Sequence, residues 1–453
     1  LTLHMKIIIA GAGEVGFHLA KLLSYESQDI TLIDSDKESL SYADNHLDIR
    51  VLKGDATSIG ILEEARVAQS DLVIGVTSSE TTNLTLCILA KQLGCKRTIA
   101  RISNTEFIEN KERLRFSDLG IDELISPERL AATEIQLLIN QSAFNDTYEF
   151  EEGKLIMVGI CLPPGAPFVG KTVKDAAETF SEVHFMPIAI KRSGTQFTII
   201  PRGDSVFQAE DQVYFITSKE GVEELYKMTG TVKKDIKNVM ILGGSKVGQK
   251  TARDLCSRKF NVKLIEKDKQ KATELAEQLP NALVINGDGR NVELLEEESL
   301  SAMDAFIAVT GNSETNIMSC LVAKSKDIKK TIALVENMDY FQLSHSIGID
   351  TLINKKLLAA NNIFRYIRKG EVVAMTRLNN LNAEILEFIV KPNSAVSGKL
   401  IREIDFPRLA TIGGVIRDGE GVIALGSFKI TEGDRVVVCC LPSAIPKIEK
   451  LFL

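Results

Sequence analysis

The stretch Lys6–Asp36, KIIIAGAGEVGFHLAKLLSYESQDITLIDSD, narrows the folds open to this chain more than any other. Ile7, Ile8 and Ile9 are a β-branched run, the mark of a strand buried on both faces. GAGEVG follows at once and opens a helix whose apolar positions Val15, Leu19, Leu22 and Leu23 recur at helical spacing. A second strand, Ile30–Ile33, ends on Asp34. Gly11 allows the tight turn, Gly13 lets backbone N–H groups approach a pyrophosphate, and Gly16 lets the helix pack against the strand. The helix N-terminus adds partial positive charge. Asp34 is placed to accept hydrogen bonds from a ribose diol, and its carboxylate repels a 2′-phosphate, which favours NAD over NADP.

Strand and helix patterns keep alternating. Ile49–Leu52, Leu72–Val76, Thr98–Ile102 and Ile121–Ile125 read as strands, a helix runs from about Thr82 to Leu93, and Pro127 starts another where its missing N–H costs nothing. Six parallel strands with intervening helices make a Rossmann-like doubly wound α/β sheet. Near Phe144–Glu152 the character changes. Pro163, Pro164, Gly165, Pro167 and Gly170 crowd the next stretch, and Leu155–Cys161, Phe197–Ile200 and Gln212–Thr217 read as short strands of a small α+β domain ending near Thr231. Lys233, Lys234 and Lys237 mark a solvated polar linker.

The pattern then begins again. VMILGGSKVGQKTARDL at Val239–Leu255 echoes IIIAGAGEVGFHLAKLL, with Gly243, Gly248 and Glu266 each 232 residues after Gly11, Gly16 and Asp34. Gly287-Asp288 and VTGNSETN at Val309–Asn316 follow Gly54-Asp55 and VTSSETTN at Val76–Asn83 by 233. The small domain recurs too, through AVSGKL at Ala395–Leu400 and EGDRVVV at Glu432–Val438. The chain is a tandem duplication, expected to divide at residues 5–143, 144–231, 236–372 and 373–453. Two similar units in one chain can pack about a pseudo-twofold axis, and their relative tilt is an available switch.

Composition excludes several classes. A net charge of −7 leaves no electrostatic footprint for nucleic acid. No run of about 18 apolar residues exists, so a membrane role has to pass through a partner. The seven cysteines have no metal-ligand spacing, and Cys439 and Cys440 read as neighbouring buried strand residues. No signal peptide is evident, which fits a reducing cytoplasm; Leu1–His4 precede Met5 and are set aside. No nucleophile elbow, Walker lysine or paired histidine stands out, and the small domains offer no acid or base to set against a nicotinamide. That weighs against an NAD-dependent oxidoreductase.

Thr77 and Ser78 end the fourth strand beside the first, at the crevice where such sheets bind ligands. They can reach a phosphate or ribose, or cap the next helix. Arg101 can hold a phosphate or serve a surface ion pair. Asp55 can face the adenine or cap a helix. The second copy departs from the first. Ser245 replaces Gly13, which would aim a Cβ at the pyrophosphate position, and Leu334 replaces Arg101. Its site is expected to bind more weakly, or to prefer another adenine nucleotide.

Taken in order, MKIIIAGAGEVG with ITLIDSD, GDAT at Gly54–Thr57, VTSSETTN, RIS at Arg101–Ser103, the AIKRSG region and their second copies resemble the TrkA family of Trk-system potassium-uptake proteins. The resemblance spans the chain after Met5. It implies two RCK units, each a Rossmann-like NAD-binding domain followed by a small C-terminal domain. It also implies a cytoplasmic, non-catalytic regulatory subunit that binds NAD or NADH, and in the second unit NAD(H) or ATP/ADP. Such a subunit docks on a TrkH-type transporter at the inner face of the membrane. Four chains forming a ring of eight RCK units would fit the family, and a related cation channel or antiporter is the alternative partner. The family's cofactor residues carry over to Gly11, Ala12, Gly13, Glu14, Val15, Asp34, Thr77, Ser78 and Arg101. In the second copy they carry over to Gly243, Gly244, Ser245, Lys246, Val247 and Glu266.

Overall fold

The computed structural model describes residues 5–24, 28–104, 106–110, 113–140, 146–179, 185–192, 195, 197–229, 236–336, 348–367, 372–377 and 383–452. Two compact units emerge, Leu1–Ala132 with Asn354–Ile367, and Thr133–Ile353 with Arg368–Leu453.

The first unit is built on strands β1 (Lys6–Ala10), β2 (Asp29–Asp34), β3 (Arg50–Lys53), β4 (Leu72–Gly75), β5 (Arg97–Arg101) and β6 (Glu123–Ile125). They lie in the order β3-β2-β1-β4-β5-β6, every neighbouring pair parallel. The direction of winding reverses between β1 and β4, which opens a crevice at their carboxyl ends. Ile7, Ile9, Leu32, Val73, Ile74 and Ile99 are buried along the central strands, as helices on both faces require. The expected strands are present with small shifts; Ile49–Leu52 is displaced by one residue to Arg50–Lys53. The helix expected from Thr82 begins at Glu80, because the Ser79 hydroxyl accepts the Thr82 N–H at 3.2 Å and caps it. The helix Lys355–Ile367, far along the chain, packs on the helix Glu14–Ser24, and Lys356 pairs with Glu14.

The second unit contains a matching parallel sheet. Its strands are β12 (Asn238–Leu242), β13 (Asn261–Glu266), β14 (Ala282–Asn286), β15 (Ala305–Ala308), β16 (Lys330–Leu334) and β17 (Thr351–Ile353), in the order β14-β13-β12-β15-β16-β17. It also holds two antiparallel sheets. One comprises β7 (Asp146–Phe150), β8 (Leu155–Cys161), β9 (Phe185–Lys191), β10 (Thr198–Ile199) and β11 (Gln212–Thr217). The other comprises β18 (Val372–Arg377), β19 (Glu384–Ile389), β20 (Ala410–Arg417), β21 (Glu420–Val422) and β22 (Arg435–Cys440). Strands β8 and β11 have their expected bounds, whereas Phe197–Ile200 contracts to Thr198–Ile199. Lys237 is exposed, while Thr231, Lys233 and Lys234 lie outside the described residues.

Each face of the first antiparallel sheet has its own cover. On one, Phe168, Phe185, Phe207 and Phe215 cluster, with Phe168 stacked on Phe207 at 5.2 Å between centroids. On the other, Leu155, Met157, Ile188 and Ile216 join a single core with Ala383, Ile385, Val437 and Cys439 of the second small domain. The two small domains thus bury one face of each sheet against each other. Gly421 permits the approach, since a Cβ there would lie 2.0 Å from the Lys154 carbonyl oxygen. Cys439 and Cys440 are both buried on β22, and burial pushes the Cys439 thiol up.

A buried ion pair ties down each small domain. Arg192 donates to Asp211 Oδ2 at 2.5 Å and to the Val206 carbonyl at 2.7 Å, and Asp211 is 1% exposed. In the repeat, Arg417 makes paired 2.7 Å bonds to Asp434 and also reaches the Lys429 carbonyl. Removing one partner leaves a charge buried and uncompensated. Asp211→Ala is expected to destabilise the protein by about 3 kcal/mol, measured by urea denaturation, with Asp434→Ala producing a similar loss.

Candidate functional site

The first sheet edge is assembled around the turn after β1. Gly11 has φ +110°, and a Cβ there would lie 2.8 Å from the Thr77 backbone nitrogen. Gly16 is tighter still: its Cβ would fall 1.8 Å from the Gly11 carbonyl oxygen. Gly13 differs in kind. Nothing lies within 4 Å of its would-be Cβ, and the residue is exposed, so the space over it is open. Glu14 is exposed beside it, while Ala12 and Val15 are buried. Two glycines therefore hold the turn against the sheet and the third leaves room for a ligand.

Asp34 faces that turn. Its Oδ2 accepts the Ala12 N–H at 2.5 Å and its Oδ1 the Asp36 N–H at 2.9 Å. The carboxylate is partly exposed and no side-chain cation pairs with it among the described residues. Thr77 sits across the crevice, with Ser78 exposed next to it. Arg101 ends β5, and its side chain has no hydrogen-bond or ion-pair partner among the described residues. Asp55 is engaged in its own turn: its Oδ1 accepts both the backbone N–H and the hydroxyl of Thr57 at 2.8 Å. Those bonds hold its carboxyl below the usual carboxylate range.

Asn83 organises this edge, and sequence reasoning passed over it. It is 1% exposed. Its Oδ1 accepts the Thr77 N–H at 2.9 Å and the Thr77 hydroxyl at 2.7 Å, while its Nδ2 donates to the carbonyls of Thr77 and Arg101 at 3.1 and 2.9 Å. One amide thereby pins the ends of β4 and β5. Asn316 repeats each bond with Thr310 and Leu334. The available signal was that both copies of the VTSSETTN pattern keep this asparagine.

Comparison with known proteins settles the family. The TrkA-N domain matches residues 7–127 and 239–355, and the TrkA-C domain matches 157–230 and 385–453. The chain belongs to the TrkA family. It is 34% identical to the Trk system potassium uptake protein TrkA of Haemophilus influenzae, over 99% of this chain and 98% of that one. It is 33% identical to a TrkA homolog of Methanosarcina mazei, over 99% of this chain and all of that protein. These relatives are named for potassium uptake. The RCK domain of GsuK has the same fold, with TM-score 0.62 at 16% identity over 99% of this chain and 95% of that one. A GsuK channel solved with NAD bound gives the same score, covering 79% of that chain.

The second TrkA-N edge keeps the turn, with Ser245 in place of Gly13. Gly243 has φ +104°, and a Cβ on Gly248 would fall 2.0 Å from the Gly243 carbonyl oxygen. Ser245, which replaces Gly13, turns its hydroxyl back onto the protein. The hydroxyl donates to the Val309 carbonyl at 2.6 Å and accepts the Gly248 N–H, capping the helix. Glu266 is 7% exposed; its Oε2 accepts the Gly244 N–H at 3.0 Å and lies 3.2 Å from Lys271 Nζ, and its Oε1 accepts the Asp268 N–H. Burial pushes this carboxyl up, but those hydrogen bonds and the ammonium outweigh burial and hold it below its ordinary value. Leu242 and Leu275 stand where Ala10 and Ala43 stand. A Cβ on Gly244 would lie 2.4 Å from Leu275 Cδ1, and one on Gly289 2.1 Å from Leu242 Cδ1. Lys246 is exposed and Val247 buried, and Asp288, held by Arg290, is brought down to about 2.

Among the described residues no group of histidine, cysteine or carboxylate side chains can hold a metal, and no helix is long and apolar enough to cross a membrane. His184 and His345 lie outside the described residues. Asn83→Ala leaves the Thr77 N–H and the Arg101 carbonyl without their partner. It is expected to cost about 2 kcal/mol of stability, read as a lower thermal midpoint.

Proposed function

We propose that this chain is a nucleotide-sensing regulatory subunit of a potassium-uptake system, holding NAD or NADH at its first TrkA-N edge. The open space over Gly13, opposite an Asp34 carboxylate that no cation among the described residues neutralises, carries the reading. A pyrophosphate placed there meets the helix N-terminus, with Arg101, unpaired among the described residues, at the neighbouring strand end as a second anion contact. The adenine ribose would draw Asp34 away from the Ala12 N–H. Gly11, Ala12, Glu14, Val15, Gly16, Thr77 and Ser78 complete the cradle, and Asp55 borders it through its own turn. The GsuK channel with NAD bound and the one with ADP bound, which share the fold, support a nucleotide as the ligand class.

The second edge is proposed to hold NAD(H), ATP or ADP more weakly. Its residues are Gly243, Gly244, Ser245, Lys246, Val247, Gly248 and Glu266. A ribose there has to displace Lys271 from Glu266, and Leu334 supplies no cation where Arg101 does. The chain holds its nucleotide and transforms nothing.

The proposed partner is a TrkH-type transporter, with the subunit peripheral on the cytoplasmic face of the membrane and four chains forming a ring of eight units. Nucleotide exchange would favour one tilt between units and so move the attached gate. Shifting such an equilibrium from closed to open takes about 5.5 kcal/mol of differential binding. Spread over several sites, that is about 1 kcal/mol or less each. Ring dimensions measured by small-angle scattering are expected to differ between NADH-bound and ATP-bound protein, and identical curves would contradict this mechanism.

Calorimetric titration tests the sites. Asp34→Ala is expected to weaken NADH at least about tenfold, and unchanged affinity would refute the assignment. In that background, Lys271→Ala frees Glu266 and is expected to tighten second-edge binding by about three- to tenfold.

A further inference from the structure

The two TrkA-N sheets also differ at their opposite rim, away from the nucleotide crevice. In the first unit a cleft of about 280 Å³ opens at the amino-terminal ends of β1, β2 and β3. Ile7, Ile8, Thr31, Ala65 and Ser70 line it, and Lys6, Arg50, Arg66 and Asp29 supply the charge. In the second unit the matching place is occupied by the chain itself. Lys263 stands where Thr31 stands, and Glu298 where Ala65 stands. The Lys263 ammonium donates to the Glu298 carbonyl oxygen at 2.6 Å and lies 3.4 Å from its carboxylate. The duplication therefore contains one plugged cleft and one open one.

The plug shows what the inner end accepts. Residue Ala65 closes the helix Ile59–Glu64, and no backbone N–H among the described residues donates to its carbonyl. An unfilled carbonyl at a helix C-terminus favours a cation with N–H donors, as Lys263 demonstrates in the twin. The mouth has the opposite preference. Among the described residues Lys6 donates its ammonium only to the neutral Gln69 side chain, Arg50 lies 4.0 Å from Glu64, and Arg66 has no partner. Three cations face one lining carboxylate, Asp29. A simple amine would be repelled at the mouth, and a simple anion would meet the Ala65 carbonyl inside.

We propose that this cleft is a binding site for an aminoalkyl phosphate, its ammonium on the Ala65 carbonyl in place of the missing lysine and its phosphate among Lys6, Arg50 and Arg66. Arg50 and Arg66 suit phosphate oxygens through forked N–H donors. The same chemistry occurs in free phosphoethanolamine and in an ethanolamine phospholipid headgroup. The site is separate from the nucleotide crevice and does not depend on the reading of that crevice.

Calorimetric titration of the full chain with phosphoethanolamine tests it, with ethanolamine and inorganic phosphate as controls. Phosphoethanolamine is expected to bind at least about tenfold tighter than either control. Transplanting the plug, Thr31→Lys with Ala65→Glu, is expected to lower that affinity at least about tenfold with an unchanged melting profile. Arg66→Ala, at an exposed position, is expected to weaken phosphoethanolamine several-fold and ethanolamine not at all, so the test survives if the double variant fails to fold. Wild-type binding no tighter than the controls, or full affinity in both variants, overturns the proposal. Cosedimentation with phosphatidylcholine vesicles with and without phosphatidylethanolamine separates the sources. Pelleting that needs the ethanolamine lipid and Arg66 assigns the headgroup, and solution binding without it assigns the free compound.

Discussion

Each half of this protein rests on a contact that no side chain can make. The helix after the first strand presses its second turn onto the glycine turn so closely that a single added carbon at Gly16 would lie 1.8 Å from the Gly11 carbonyl oxygen. The twin contact, Gly248 on Gly243, is 2.0 Å. That approach brings the helix N-terminus to the crevice between β1 and β4, and with it a backbone dipole suited to a pyrophosphate. Substituting Gly11 or Gly16 would remove the geometry itself rather than one ligand contact.

Much of this was legible in the residues because it is local or periodic. β-branched runs, glycine spacing and an acid at each strand end are short-range signals, and repetition at 232 or 233 residues doubled their weight. What stayed hidden depends on contacts between distant segments. Asn83 looks like any helix residue until its amide is seen to bridge Thr77 and Arg101. Arg192 and Asp211 lie 19 residues apart and become meaningful only as a buried pair. The shared core of the small domains, and the glycine at 421 that admits it, likewise follow from tertiary approach. Ser245 was read from backbone position alone, and the Val309 carbonyl that captures its hydroxyl lies 64 residues away.

Duplication followed by divergence explains why the two halves differ where they do. The scaffold bonds are kept almost atom for atom, as the Asn83 and Asn316 networks show. Several positions at the proposed nucleotide edge are not kept. In the second half Lys271 pairs with Glu266 and Ser245 turns its hydroxyl inward, while Leu275 and Leu242 pack against Gly244 and Gly289, where the first half has Ala12 and Ala56. An ion pair on a carboxylate that is 7% exposed would compete with a ribose at the proposed second site. One chain thus presents two structurally alike crevices with different side chains, and under the proposed function they would bind a nucleotide unequally.

The most direct examination of this account is a structure of the full chain determined at saturating NADH. The account predicts a pyrophosphate over Gly13 and the Asp34 carboxylate moved from the Ala12 N–H to the adenine ribose hydroxyls. An unoccupied first crevice, with the Asp34–Ala12 bond intact while NADH is bound elsewhere, would contradict it.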